Sequence, residues 1–257
     1  MLLELRNVTK DYPLRPRRTS LFKKTPRFKA VNQVDLTIKK GEIVGLVGES
    51  GSGKSTLAKL IMNIEPVTSG KILLNGQPVH GKRMSDLTLY KQMQLVLQDS
   101  SSSLHPNMRV KELLEEPLRN YLRQEKTMRE ATIRKLLKLV GLSPPFLSRY
   151  PHQLSGGQKQ RVCIAKALAV QPDIILFDES IASLDHPSQM EILHMLKHIQ
   201  KQQQLSYLFI THDLKSVQQL CDRVAVMYQG ELVETFSRWD PDQLRHPYSR
   251  LLFQTLN

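Results

Sequence analysis

The sequence predicts an α/β fold: a mixed parallel sheet with an antiparallel subdomain and an inserted helical subdomain. A glycine-rich loop, Gly48-Glu49-Ser50-Gly51-Ser52-Gly53-Lys54-Ser55-Thr56, stands between an apolar, β-prone run (Glu42 to Val47) and a segment where Leu57, Leu60, Ile61 and Ile64 recur at helical spacing. Ile174 to Phe177 and Leu205 to Ile210 are continuous apolar runs, as strands buried on both faces require. From Val110 to about Pro151 the pattern turns wholly helical.

The loop fits G-x-x-x-x-G-K-[ST], which makes the core that of a P-loop NTPase and the loop a triphosphate cradle. Inward-pointing N–H groups hold phosphate, and only backbone free of Cβ atoms curls that tightly, which accounts for Gly48, Gly51 and Gly53. Lys54 would bridge the β- and γ-phosphates of the nucleotide, with Glu49, Ser50, Ser52 and Thr56 completing the cradle. Ser55 Oγ would ligate Mg²⁺, and the helix beginning there would aim its positive end at the anion.

In chain order, Leu2 to Val8 alternates Leu3 and Leu5 with Glu4 and Arg6, a half-buried strand. Tyr12, just past it, is either a loop tyrosine or an aromatic that stacks on adenine. Pro13 to Lys29, with seven basic residues and no acidic one, reads as a solvated loop. Ala30 to Lys40 is a second strand, and Gly70 to Gly76 a third that ends in an Asn-Gly turn. Met93 to Leu97 is a buried strand that stops at Gln98, within reach of a metal-bound water and so a third Mg²⁺ contact beside Ser55 and Asp178.

Thr127-x-x-Glu130 reads as a capping box, and Ile133, Leu136, Leu137 and Val140 mark one helix face up to Gly141. Leu154-Ser155-Gly156-Gly157-Gln158 opens a further helix, Lys159 through Val170, and its small residues bare amides that make a second anion site. Asp178-Glu179 ends the Ile174 strand, where carboxylates face the ligand crevice: Asp178 would hold Mg²⁺ through water and Glu179 orient the attacking water. Pro187 starts the next helix, and His212, delivered by the Leu205 strand, would donate to a γ-phosphate. Val224 to Tyr228 and Glu231 to Glu234 form a hairpin around Gln229-Gly230.

The chain has 257 residues, 40% hydrophobic and 24% charged, enough for a substantial core, and no apolar run approaches a membrane span. Met1 to Arg6 lacks the apolar core of a signal peptide, so a cytosolic location is expected. Cys163 and Cys221 read as small core residues. The formal charge of +13 suits a polyanionic partner without choosing among nucleotide, anionic lipid and nucleic acid.

Tyr12, the phosphate loop, Gln98, LSGGQ at 154–158, ILFDE at 175–179, Ser183-Leu184-Asp185 and His212 together resemble the ATP-binding-cassette ATPases of transporters, in the right order along nearly the whole chain. The resemblance implies one ATPase domain over 1–257, with 1–98 and 159–257 as the sheet core and about 99–158 as the helical signature subdomain. It implies a head-to-tail pair of cassettes, ATP on Gly48–Thr56 of one being capped by Leu154–Gln158 of the other, with Ser183–Asp185 as the dimer loop. It also implies a sibling ATPase as partner, two integral-membrane permease subunits, an extracytoplasmic solute-binding protein reached indirectly, and a place on the cytoplasmic face of the cell membrane. The basic insertion, Gln98 to Pro106 and His246-Pro247-Tyr248-Ser249-Arg250-Leu251-Leu252 are similar to the peptide/nickel importer branch. Ser100 and Ser180-Ile181, in place of proline and Pro-Thr, lean toward the nickel members, with oligopeptides as the alternative. A nucleic-acid or ribosome ATPase would bring a long coiled-coil insertion or a second cassette, neither of which this sequence carries, so no nucleic-acid partner is expected.

Overall fold

The computed structural model describes residues 1–14, 26–81, 84–98, 103–237 and 244–254. It opens with two long antiparallel strands, β1 (Leu3–Pro13) and β2 (Arg27–Ile38), paired from Leu3↔Ile38 to Pro13↔Arg27. β1 does not stop at Val8: Asn7 takes a left-handed φ of 51° and the register shifts around it, which breaks the period-two pattern while the pairing continues. Tyr12 is therefore a strand residue. Arg27 and Lys29, expected in the basic loop, belong to β2; residues 15–25 of that loop lie outside the described residues.

β3 (Ile43–Val47) leads through the glycine-rich loop into α1 (Lys54–Ile61). β4 (Ser69–Leu74) and β5 (Gln77–Pro78) join at Asn75-Gly76, both at positive φ (50° and 76°), as a tight hairpin turn demands. A short helix, α2 (Asp86–Gln92), capped by Ser85 Oγ accepting from Thr88 N–H at 3.2 Å, precedes β6 (Met93–Val96). The helical segment holds α3 (Val110–Leu122) and α4 (Lys126–Leu139), then two 3₁₀ turns at Pro144–Ser148 and Pro151–Gln153. The Thr127/Glu130 capping box does not form. Glu125 takes the cap position, Thr127 lies inside the helix, and Glu130 pairs with Lys111 of α3 at 3.1 Å.

The next helix, α5 (Gly156–Leu168), begins at Gly156 rather than Lys159, so most of the LSGGQ segment is its first turn. There follow β7 (Ile174–Asp178), α6 (His186–Gln203), β8 (Ser206–Ile210), α7 (Leu214–Leu220), β9 (Arg223–Tyr228), β10 (Glu231–Phe236) and α8 (Pro247–Gln254).

The strands form two sheets: an antiparallel one ordered β2-β1-β4-β5 and a six-stranded one ordered β10-β9-β3-β8-β7-β6, parallel except for β10. One core lies between the sheets around α1, with Leu3, Ile38, Leu57, Ile61 and Leu74. The other joins the far face of the parallel sheet to the helical segment, with Leu113, Leu137, Ile164, Leu196 and Phe209. β7 feeds both, Ile174 and Leu176 to the first and Ile175 and Phe177 to the second, hence its unbroken apolar run. Cys163 and Cys221 are buried in the second core. Among the described residues no helix is long and apolar enough to cross a membrane.

Candidate functional site

Parallel pairing of β3, β8, β7 and β6 brings their carboxyl ends to one edge, through Leu46↔Ile210, Asp178↔Ile210 and Val96↔Phe177. Everything the strands deliver next meets there. Lys54, the first residue of α1, is only 5% exposed, and burial lowers its pKa against the opposing pull of Glu179, Asp178 and Glu49. Its ammonium donates to Gly48 O and Glu49 O, both at 2.8 Å, inside the loop it belongs to. Ser55 Oγ donates to Asp178 Oδ1 at 3.1 Å. Burial raises the pKa of Asp178; the Ser55 bond and Lys54 pull it down, and Glu179 adds to the rise.

Glu179 sits at φ 48°, an uncommon conformation for a residue with a side chain, with its N–H donating to Ile210 O at 2.9 Å. That turn sends its carboxylate toward His212, whose Nδ1 lies 3.5 Å from Glu179 Oε1, while the imidazole stays 61% exposed. Asp213, next along, caps α7 by accepting from Lys215 N–H at 3.0 Å. Gln98 is exposed just beyond β6, at the same strand-end edge; Asp99 to Ser102 lie outside the described residues.

Tyr12 lies at the far end of β1. Its hydroxyl donates to Glu65, Lys10 Nζ stands 5.1 Å from its ring centroid, and burial together with Glu65 pushes its pKa up to about 12. Thr56 lies near enough to offset part of that rise.

Leu154–Gln158 belong to a second cluster. Ser155 Oγ accepts from Gln158 N–H at 3.3 Å, and Gln158 Oε1 accepts from Ser155 N–H at 3.0 Å, a reciprocal cap on α5. Gly156 and Gly157 pack against Leu184 and Ser188, and Asp185 caps α6 by accepting from Ser188 N–H at 3.1 Å. Lys54, Ser55, Asp178, Glu179 and His212 are thus gathered in one place, and Ser155–Gln158 with Ser183–Asp185 in another.

One contact to the phosphate loop had no signal in the sequence. Tyr248 of α8, 199 residues away, accepts from the Glu49 N–H at 2.7 Å. Only three-dimensional pairing reveals it.

The model of the ABC transporter family matches residues 31–182. Similar proteins include a putative peptide import ATP-binding protein of Brucella abortus (strain 2308), 46% identical over 237 residues that cover 89% of this chain and 69% of that one. The oligopeptide transport ATP-binding protein OppF of Lactococcus lactis subsp. lactis (strain IL1403) is 40% identical over 258 residues, covering 99% of this chain and 80% of its own. Among solved structures, a dimeric ATP-binding cassette in a post-hydrolysis state bound to ADP and Pi superimposes with a TM-score of 0.77 at 30% identity, over 92% of this chain and 98% of that one. Both of these sequence relatives are named for peptide or oligopeptide transport, and neither for nickel. On its strand-end cluster, its two sheets and these likenesses, the chain belongs to the ABC transporter family and has the fold of its ATPase cassettes.

Proposed function

We propose that this chain is the ATP-hydrolysing subunit of an importer of oligopeptides, the single supporting observation for hydrolysis being the cluster of Lys54, Ser55, Asp178, Glu179 and His212 at one sheet edge. The donor set fits a triphosphate with Mg²⁺. A buried ammonium held, among the described residues, by loop carbonyls and the Ser52 hydroxyl can exchange those partners for phosphate oxygens, and a hydroxyl beside a carboxylate offers hard oxygen ligands. Ser55, Asp178 and Gln98 would hold the ion, which when bound neutralises charge developing on the β- and γ-phosphates.

Glu179 accepts the proton of the attacking water in this reading, and the strained backbone at φ 48° aims it. His212, with Nδ1 turned to Glu179, keeps Nε2 for a γ-phosphate oxygen. Tyr12 lies beside the base, and Ser155–Gln158 cap the nucleotide of a sibling cassette, with Ser183–Asp185 between them. The sheet core (1–98 and 159–257) handles nucleotide, while the helical segment (about 99–158) receives a short cytoplasmic helix of the permease at the cell membrane, in a transporter with two permease subunits and a solute-binding protein on the far side.

Two of the residues that leaned toward nickel carry little weight; the third, Ser100, lies outside the described residues. Ser180 and Ile181 are each 2% exposed, Ile181 within the core shared with α5, so they report packing rather than solute. Deleting the gene should abolish growth on short peptides as the source of a required amino acid and leave nickel uptake intact; the reverse pattern would overturn the substrate. For the chemistry, Glu179→Gln should lower hydrolysis by the assembled transporter by about 10²- to 10⁴-fold while ATP still binds. Wild-type turnover in that variant would remove Glu179 from the role of base.

A further inference from the structure

We infer that the C-terminal helix α8 is a strap on the phosphate loop, and that Tyr248 is a positioning residue for nucleotide binding, its hydroxyl holding the Glu49 amide in place. Tyr248 lies beyond residues 31–182, the part of the chain that the family model matches. The inference rests on the nucleotide reading above.

The contact is built from both sides. The Tyr248 ring stacks on Tyr228 with centroids 4.3 Å apart and planes at 26°, which fixes where its hydroxyl can reach. Tyr228 ends β9, and that strand end touches the loop twice more: Gly230 N–H donates to Ser52 O at 2.9 Å, and Met227 O stands 2.1 Å from where a Cβ on Gly48 would be. The back of the loop is therefore held at Gly48, Glu49 and Ser52 by the last strands and the last helix.

α8 itself is firmly seated. Leu244 and Phe253 are 2% and 4% exposed in the second core, Phe253 meets Phe236 edge-on at 5.3 Å, and Arg250 Nε donates to Leu244 O at 2.7 Å. Burial raises the pKa of Tyr248, so its oxygen remains a neutral phenol at physiological pH.

A loop with three glycines at positive φ has much freedom to lose when it closes on phosphate, and an amide already tethered lowers that cost. By linkage, nucleotide in the loop must in turn tighten the tail.

The test compares full-length wild type, Tyr248→Phe and Lys54→Ala for binding of ATP with Mg²⁺ and for hydrogen exchange. Tyr248→Phe keeps the stack on Tyr228 and removes only the oxygen, so the fold should persist. The loss of one hydrogen bond should weaken ATP binding about two- to tenfold. Exchange in the peptide holding Glu49 should quicken without nucleotide, and ATP should protect α8 in wild type but not in the variant. Binding within a factor of two of wild type, or unchanged exchange at Glu49, would overturn the strap, as would a fall in Tm with affinity intact. Lys54→Ala separates the two readings: if it binds ATP as wild type does, the nucleotide assignment fails, while exchange at Glu49 in the empty protein still reports on Tyr248.

Discussion

The phosphate loop and the 154–158 segment both place glycine at the start of a helix, and the two need it for different reasons. Gly53, the cap of α1, is left-handed at φ 106°, and a Cβ there would lie 2.3 Å from Ala30 O, a backbone atom that cannot step aside. Gly156 and Gly157 have ordinary helical backbone, and an added Cβ would meet only side chains, Leu184 at 3.2 Å and Ser188 at 3.4 Å. The first motif is thus dictated by the fold of this chain. The second is barely constrained by it, so the fold alone does not require its glycines.

The sharpest way to break that contrast is Gly53→Ala. A left-handed conformation costs a residue with a side chain about 1–2 kcal/mol, and the clash with Ala30 O adds to it, so a stability loss of roughly 3 kcal/mol or more is expected. Chemical denaturation would measure it, and ATP binding should vanish with the loop geometry. A variant as stable as wild type would show that the loop does not need this backbone.

Gly51→Ala isolates the conformational part. Gly51 has φ 83°, but nothing lies within 4 Å of its added Cβ, so strain acts without a clash. A loss of about 1–2 kcal/mol is expected, clearly smaller than at Gly53. Equal losses at the two positions would mean that contact with Ala30 contributes nothing.

The same division explains what the sequence revealed. Lys54 and Ser55 were legible from the glycine-rich motif, and Asp178, Glu179 and His212 because they stand at the ends of apolar runs that parallel strands bring together whatever their order in the sheet. The turns at Asn75-Gly76 and Gln229-Gly230 were legible because positive φ leaves a mark in residue type. The second half of β1 was hidden by Asn7, where the bulge interrupts alternation, and α2 was hidden because only Leu89 of its seven residues is buried, which leaves no stripe. Thr127 matched a motif, but Glu125 already occupied the cap; local pattern yielded to the path by which the chain enters α4. The Tyr248–Glu49 bond was beyond reach: each residue stood in a segment the sequence marked, but nothing in either segment pointed to the other across 199 residues.

The smallest effect on stability, and the most telling, belongs to Gly157→Ala. In a helical first turn alanine is favoured over glycine by about 0.5–1 kcal/mol, and a Cβ 3.4 Å from Ser188 is close to ordinary contact, so the chain should be unchanged or slightly more stable. If this segment caps the nucleotide of a sibling cassette, an added methyl beside the amides of α5 would crowd the approach of phosphate to them. Hydrolysis by the assembled transporter should then fall about tenfold or more, on the scale of one misplaced donor in a charge-stabilising site. The two measurements together decide: lost activity with intact stability means that the glycine serves a partner, whereas intact activity means that packing on Ser188 accounts for it and the segment has no role across the interface.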